Sequence, residues 1–177
     1  FAVNHLSHMA LTKKLIPLIS KTKNSRIVTV TSAAQYIGKI SWDDLQGDKK
    51  YDPWLSYSQS KLINVMFALE LESKLKKNNN NNTISLLAHP GLARTELQNK
   101  SIFANKSWQQ DLAYKFISPM FQTAQMGAMP QLLAATSPLA KGGEQFGPRF
   151  NFRGYPRICK VASLALDKLN REKIWQI

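Results

Sequence analysis

Tyr57 and Lys61 stand four residues apart in a stretch whose apolar residues return at helical spacing, so both side chains rise from one helix face, one turn apart. That pairing has a chemical use. A free phenol has a pKa near 10, and only about one in a thousand is ionised at neutral pH. A cation about 4 Å away, at an effective dielectric near 20, favours phenolate by up to roughly 4 kcal/mol before desolvation subtracts. Tyr57 beside Lys61 could therefore give and take a proton at neutral pH. The spacing alone equally fits an exposed helical pair, so the company of the pair has to decide.

Three further positions supply that company. Ser32 directly follows the β-branched run from Arg26 to Thr31, Pro90 and Gly91 follow the run from Thr83 to Ala88, and Asn4 lies on the helix before the first run. In an open α/β sheet ligands bind outside the carboxyl ends of the strands, where Ser32 and Pro90-Gly91 fall. Taken singly, Ser32 also fits a turn cap and Asn4 a polar surface residue. His5 and His8 have no third ligand, so no metal site is expected, and His89 reads as a loop residue shaping the turn before Pro90. The single cysteine, Cys159, reads as an ordinary half-buried thiol.

The elements that must position these residues follow from periodicity. Residues 1 to 19 read as a helix, 26 to 31 as a buried strand, 33 to 53 as a long loop and 54 to 77 as a second long helix. The asparagine tract 78–82 is a tolerated loop insertion, and 83 to 88 is a second buried strand. Helices are expected at about 108 to 120 and 122 to 136, one more strand between Pro138 and Pro148, and helix again at Ile174-Trp175. This alternation specifies an α/β fold, a doubly wound parallel sheet, in one domain spanning 1–177.

Composition narrows the function. The chain has 177 residues, 44% of them apolar, enough for one core. Its net charge of +13 is spread over pairs such as Lys13/Lys14, Lys49/Lys50 and Lys76/Lys77, the pattern of solvated helix ends, so no nucleic-acid partner is expected. No run of 18 apolar residues is present, so no membrane span or anchor is visible. Phe1 stands inside an amphipathic pattern with no preceding cap, which leads us to expect a fragment that begins partway through an element.

Jointly, these segments resemble the short-chain dehydrogenase/reductase family. Its Tyr-x-x-x-Lys signature stands here as Tyr57-Ser58-Gln59-Ser60-Lys61, and its strand-end serine as Ser32 in Ile27-Val28-Thr29-Val30-Thr31-Ser32. Its helix asparagine matches Asn4 in Val3-Asn4-His5, and its Pro-Gly loop matches His89-Pro90-Gly91-Leu92-Ala93-Arg94-Thr95. The segments occur in family order and cover most of residues 1 to 97. The gap from Ser32 to Tyr57, with Trp42-Asp43-Asp44-Leu45 and Tyr51, and the run Lys61-Leu62-Ile63-Asn64-Val65 resemble the retinol dehydrogenase-like branch.

The resemblance implies a Rossmann-type fold and an NADP- or NAD-dependent oxidoreductase acting on a small apolar carbonyl or alcohol substrate. Tyr57 would be the general acid in reduction and the base in oxidation, and Ser32 would hydrogen-bond the substrate oxygen. Lys61 would support Tyr57 and bond the nicotinamide ribose, bringing both residues against the cofactor, while Asn4 would hold a water linking Lys61 to solvent. Pro90, Gly91 and Thr95 would contact the nicotinamide end. Residues 99–136, rich in Met and aromatics, would form a substrate lid. The resemblance also allows a homo-oligomer and a location in the cytoplasm or peripheral to a membrane.

The departure from the family pattern is the absence of the glycine-rich strand-turn-helix, which at roughly 30 residues per βα unit would lie on the order of 100 residues upstream. A reading from another class is therefore an inactive remnant or interaction module that cannot bind cofactor. A half sheet would also expose an apolar edge and face.

Overall fold

A computed structural model describes residues 1–93 and 121–177 of the chain. Strand β1, Ser25–Val30, and strand β2, Thr83–Ala88, pair in parallel from Ser25 opposite Thr83 to Val30 opposite Ala88. β3, Gln145–Pro148, joins the far side of β2 in parallel, and β4, Pro156–Cys159, pairs antiparallel with β3. The order is β1-β2-β3-β4. β2 has an apolar run because both of its faces are covered, as the centre of a parallel sheet requires. The antiparallel β4 is a departure from the all-parallel expectation. Its Arg157 and Ile158 are exposed, so the apolar run that marks an interior strand is missing.

Among the described residues four α-helices flank the sheet: α1, Ser7–Ile19; α2, Pro53–Lys77; α3, Ala124–Thr136; and α4, Lys168–Gln176. Side chains alternate across the strands, which sends Leu87 and Ile27 toward α2 and Val28, Ile84, Leu86 and Ala88 toward α3. The sheet is thus wound on both faces. α2 forms the centre of the molecule, with Leu62, Ile63, Val65 and Met66 fully buried. α4 closes it from outside through Ile174 and through Trp175 stacked on Phe67, ring centroids 5.6 Å apart. α2 also buries two carboxylates: Glu72 accepts the Ser85 backbone N–H at 2.8 Å and Glu70 pairs with Lys74.

Local signals set the element ends. Asp52 caps α2 by accepting the Leu55 N–H at 2.8 Å, and Pro53 occupies the first helical turn, where no N–H is needed. The first 19 residues do not form one uniform helix. Ala2–Leu6 is a π-helical turn that runs into α1, and such turns recur at functional sites. The expected loop 33–53 contains a short 3-10 turn, Ala33–Ile37, and Gln59 on α2 ties its remainder down through Ser41 N–H and Leu45 C=O. The strand ends at Val30, one residue short of the expected boundary, because Thr31 turns its hydroxyl toward α2.

Of the lid expected at 99–136, the part from 99 to 120, with the helix expected at 108 to 120, lies outside the described residues. In the remainder, α3 packs against the sheet through Leu133 and Ala134 and against the loop after β2 through Gly127, and leaves Met129 and Leu132 exposed. No described helix is long and apolar enough to cross a membrane.

Candidate active site

The site begins on α2. Tyr57, Ser60, Lys61 and Asn64 recur at three- and four-residue spacing and form a polar stripe along the first half of the helix. The Lys61 ammonium lies 5.5 Å from the centre of the Tyr57 ring, and Trp54 stacks on that tyrosine, ring centroids 5.9 Å apart. Burial pushes the Lys61 pKa below the ordinary lysine value. Among the described residues its Nζ has neither a carboxylate nor a hydrogen-bond partner.

The π turn delivers Asn4 to this stripe. Asn4 Nδ2 donates to Ser60 Oγ at 3.1 Å, and Ser60 Oγ in turn donates to the Tyr57 carbonyl at 2.7 Å. The Asn4 carbonyl accepts from Asn64 Nδ2 at 2.9 Å. That leaves the Asn64 oxygen facing His5 Nδ1 at 3.0 Å, so His5 carries its proton on Nδ1. Burial lowers the His5 pKa to about 4, against the Asn64 hydrogen bond, and the ring stays neutral. Ser60 and Asn64 join Tyr57 and Lys61 on this face through their bonds to Asn4, and their three- and four-residue spacing from the pair is the sequence signal for them.

Ser32 sits at the carboxyl end of β1 and also serves as a turn cap. Its Oγ accepts the Ala34 N–H at 3.2 Å, and its carbonyl accepts from the Gln35 N–H and the Gln35 side chain. Two contacts hold this turn against α2. Thr31 Oγ1 donates to the Lys61 carbonyl at 2.9 Å. Gly38 packs so closely that an added Cβ would lie 2.6 Å from the Ser58 carbonyl oxygen, beside Tyr57. The turn that begins at Ser32 therefore lies against the segment of α2 that carries Tyr57 and Lys61.

The loop after β2 is fixed from the other side. His89 is fully buried, its Nε2 3.6 Å from Cys159 Sγ, and burial lowers its pKa to about 4. Gly91 has φ +66, and a Cβ there would collide with the Phe152 carbonyl, so the position needs glycine twice over. Gln122 Nε2 donates to the Pro90 carbonyl at 2.7 Å while its Oε1 accepts the Gly154 N–H at 3.0 Å. Thr95 lies outside the described residues.

Asn4 and Tyr57 line one open cleft of about 400 Å³ with Phe1, Val3, Tyr51 and Pro53. Lys61 and Asn64 line a separate groove of about 240 Å³ with His8, Thr12 and Val30. Ser32 is on the wall of neither. Among the described residues no hydrogen bond joins the side chains of Ser32, Tyr57 and Lys61 to one another.

No family model matches the chain. Among curated proteins it is 33% identical over 179 residues to retinol dehydrogenase 12 of Bos taurus, covering 99% of this chain and 51% of that protein. It is 36% identical over 175 residues to retinol dehydrogenase 11 of Homo sapiens, again covering 99% of this chain and 51% of the relative. The chain thus spans about half the length of the curated relatives it matches. A crystal structure of an uncharacterised protein from Mycobacterium paratuberculosis superposes with a TM-score of 0.75 at 33% identity, covering 98% of this chain and 54% of that one. With matches along its whole length in both sequence and fold, the chain is a homologue of the retinol dehydrogenases and belongs with them to the short-chain dehydrogenase/reductase family.

Proposed function

We propose that the protein carrying this chain is a nicotinamide-dependent oxidoreductase that interconverts an apolar carbonyl compound and its alcohol, with Tyr57, Ser32, Lys61 and Asn4 as its working residues. The observation that carries the reading is the Thr31 hydroxyl on the Lys61 carbonyl, which ties the strand end bearing Ser32 to the helix bearing Tyr57 and Lys61. The kinship to retinol dehydrogenases supports the same reaction class.

When bound, the nicotinamide would supply hydride to the carbonyl carbon or accept it from the alcohol. The residues present fit such a group. Lys61 offers a desolvated ammonium with no acceptor among the described residues, the donor a ribose hydroxyl would meet. Pro90 and Gly91 offer backbone held rigid by Gln122 and Phe152, with Thr95 beyond them. In reduction Tyr57 donates its phenolic proton to the substrate oxygen, and in oxidation it takes the proton back. Ser32 Oγ already accepts the Ala34 N–H, so its own hydroxyl proton is left to donate to the oxygen as charge builds there. Asn4, fixed between Ser60 and Asn64, would hold the water that links Lys61 to solvent.

The test uses the longest gene product that carries this chain, assayed by nicotinamide absorbance with NADPH and with NADH across aldehydes of rising chain length and a retinoid aldehyde. Each buried methylene contributes about 0.8 kcal/mol, so kcat/KM should climb roughly a hundredfold over four added carbons. A flat series would reject the apolar substrate class. No turnover with either nicotinamide would favour the remnant or interaction module.

A further inference from the structure

Two glutamine side chains outside the proposed machinery are buried more completely than Tyr57, Ser32, Lys61 or Asn4. Gln35, on the 3-10 turn behind Ser32, and Gln145, at the start of β3, are 0% and 1% exposed. They meet across 110 residues of sequence: Gln35 Nε2 donates to Gln145 Oε1 at 2.9 Å and to the Ser32 carbonyl at 3.2 Å. Gln35 Oε1 accepts the Ala162 N–H at 3.2 Å. Gln145 Nε2 reaches the Lys160 carbonyl at 3.0 Å and, at 3.3 Å, both Cys159 Sγ and the Tyr36 hydroxyl. Tyr36 donates its own proton to the Lys160 carbonyl at 2.6 Å.

A buried amide is costly unless its partners are complete, and an apolar pair of the same length would fill the space without that requirement. Every donor and acceptor of the two amides is engaged, so the pair fixes geometry more tightly than packing would. What it fixes is the backbone of Ser32. Among the described residues the Ser32 hydroxyl is tethered to Ala34 alone, on the same turn, so the turn as a whole sets where that hydroxyl stands. On the sheet side, the turn is held by Gln35 to β3 and to the segment after β4.

We infer that the Gln35–Gln145 amide pair is a positioning element for the reaction, holding the Ser32 hydroxyl at the height where it meets the substrate oxygen; the inference rests on the role proposed above for Ser32. The two glutamines touch no substrate and act through the serine. Displacement of a reacting group by about 1 Å can cost on the order of a hundredfold in rate.

The experiment is a double-mutant cycle in the longest gene product carrying the chain, with Gln35→Met, Ser32→Ala and the combination. Gln35→Met keeps length and flexibility while removing the amide. It should lower kcat roughly tenfold to a hundredfold, with KM for both substrates changed less than about twofold. In the Ser32→Ala background the same change should have almost no further effect on kcat, since the group being positioned is gone. Leu75→Ala, a core truncation at the far end of α2, controls for lost stability and should leave kcat near normal. Should Gln35→Met not fold, Gln145→Met reads the linkage from the other partner by the same criteria. A normal kcat in the glutamine variant with Ser32→Ala impaired sinks the positioning role alone, as does an equal loss in both backgrounds. Near-normal turnover of Ser32→Ala sinks the serine's role and the inference with it.

Discussion

The hydroxyl of Thr31 donates to the carbonyl of Lys61 at 2.9 Å, while the Thr31 N–H donates to the Ala88 carbonyl at 2.8 Å. One residue thus joins the ends of the parallel pair β1 and β2 to the helix that bears the Tyr57 and Lys61 stripe. Thr31→Val keeps the shape and removes the side-chain bond. It should cost about 1 kcal/mol of stability and reduce kcat more than it raises KM. Thermal melts and steady-state kinetics check both, and an unchanged kcat would detach the strand end from the chemistry.

Gly38 is the second junction. An alanine there would press its methyl 2.6 Å from the Ser58 carbonyl oxygen and 2.9 Å from Leu62 Cβ, so the turn must back away from α2. Gly38→Ala should destabilise the protein by roughly 1–3 kcal/mol and lower turnover, because the moving part carries Ser32. A melting temperature within a degree or so of the parent, roughly 0.3 kcal/mol, would refute the close approach.

Acid should expose the two buried histidines. His5 and His89 titrate from 6.5 when unfolded to about 4 when folded, burial being the leading cause in both. The unfolded chain therefore binds more protons between those values. The stability these groups contribute is complete above pH 6.5 and is lost as pH falls toward 4, by up to roughly 3 kcal/mol each. His89→Gln should flatten the fall in melting temperature across that window. A parent whose stability does not change between pH 6.5 and 4 would contradict the burial of both rings.

The described chain also leaves apolar surface uncovered. Leu11, Leu15 and Leu18 form an exposed stripe on α1, and Val30 and Leu132 are exposed beside the unpaired edge of β1. The isolated 177-residue chain should self-associate and bind a hydrophobic dye. A monomer that binds no dye at micromolar concentration would show that surface to be tolerated.

Local chemistry made some of this legible in sequence. Thr83–Ala88 could be bounded to the residue because an asparagine tract and His89-Pro90-Gly91 punctuate a short, mostly apolar run. Pro156–Cys159 was invisible because an edge strand with Arg157 and Ile158 exposed has no period to read. The π turn at Ala2–Leu6 escaped because helical spacing does not distinguish a widened turn from a regular one. Tyr57, Lys61, Ser32 and Asn4 could be nominated from type and order. Gln35 with Gln145 and Gln122 with Pro90 could not, since their partners lie 110 and 32 residues away and exist only after folding.

The central claim is that Tyr57 moves the proton, and turnover of Tyr57→Phe tests it most directly. Phenylalanine keeps the ring against Lys61 and Trp54 and deletes only the hydroxyl. In the longest gene product carrying this chain, kcat should fall by several orders of magnitude while nicotinamide affinity, read by fluorescence titration, stays within about threefold. Lys61→Ala, measured beside it, should impair both quantities. Near-normal turnover with phenylalanine at position 57 would contradict the account and assign the proton to another group.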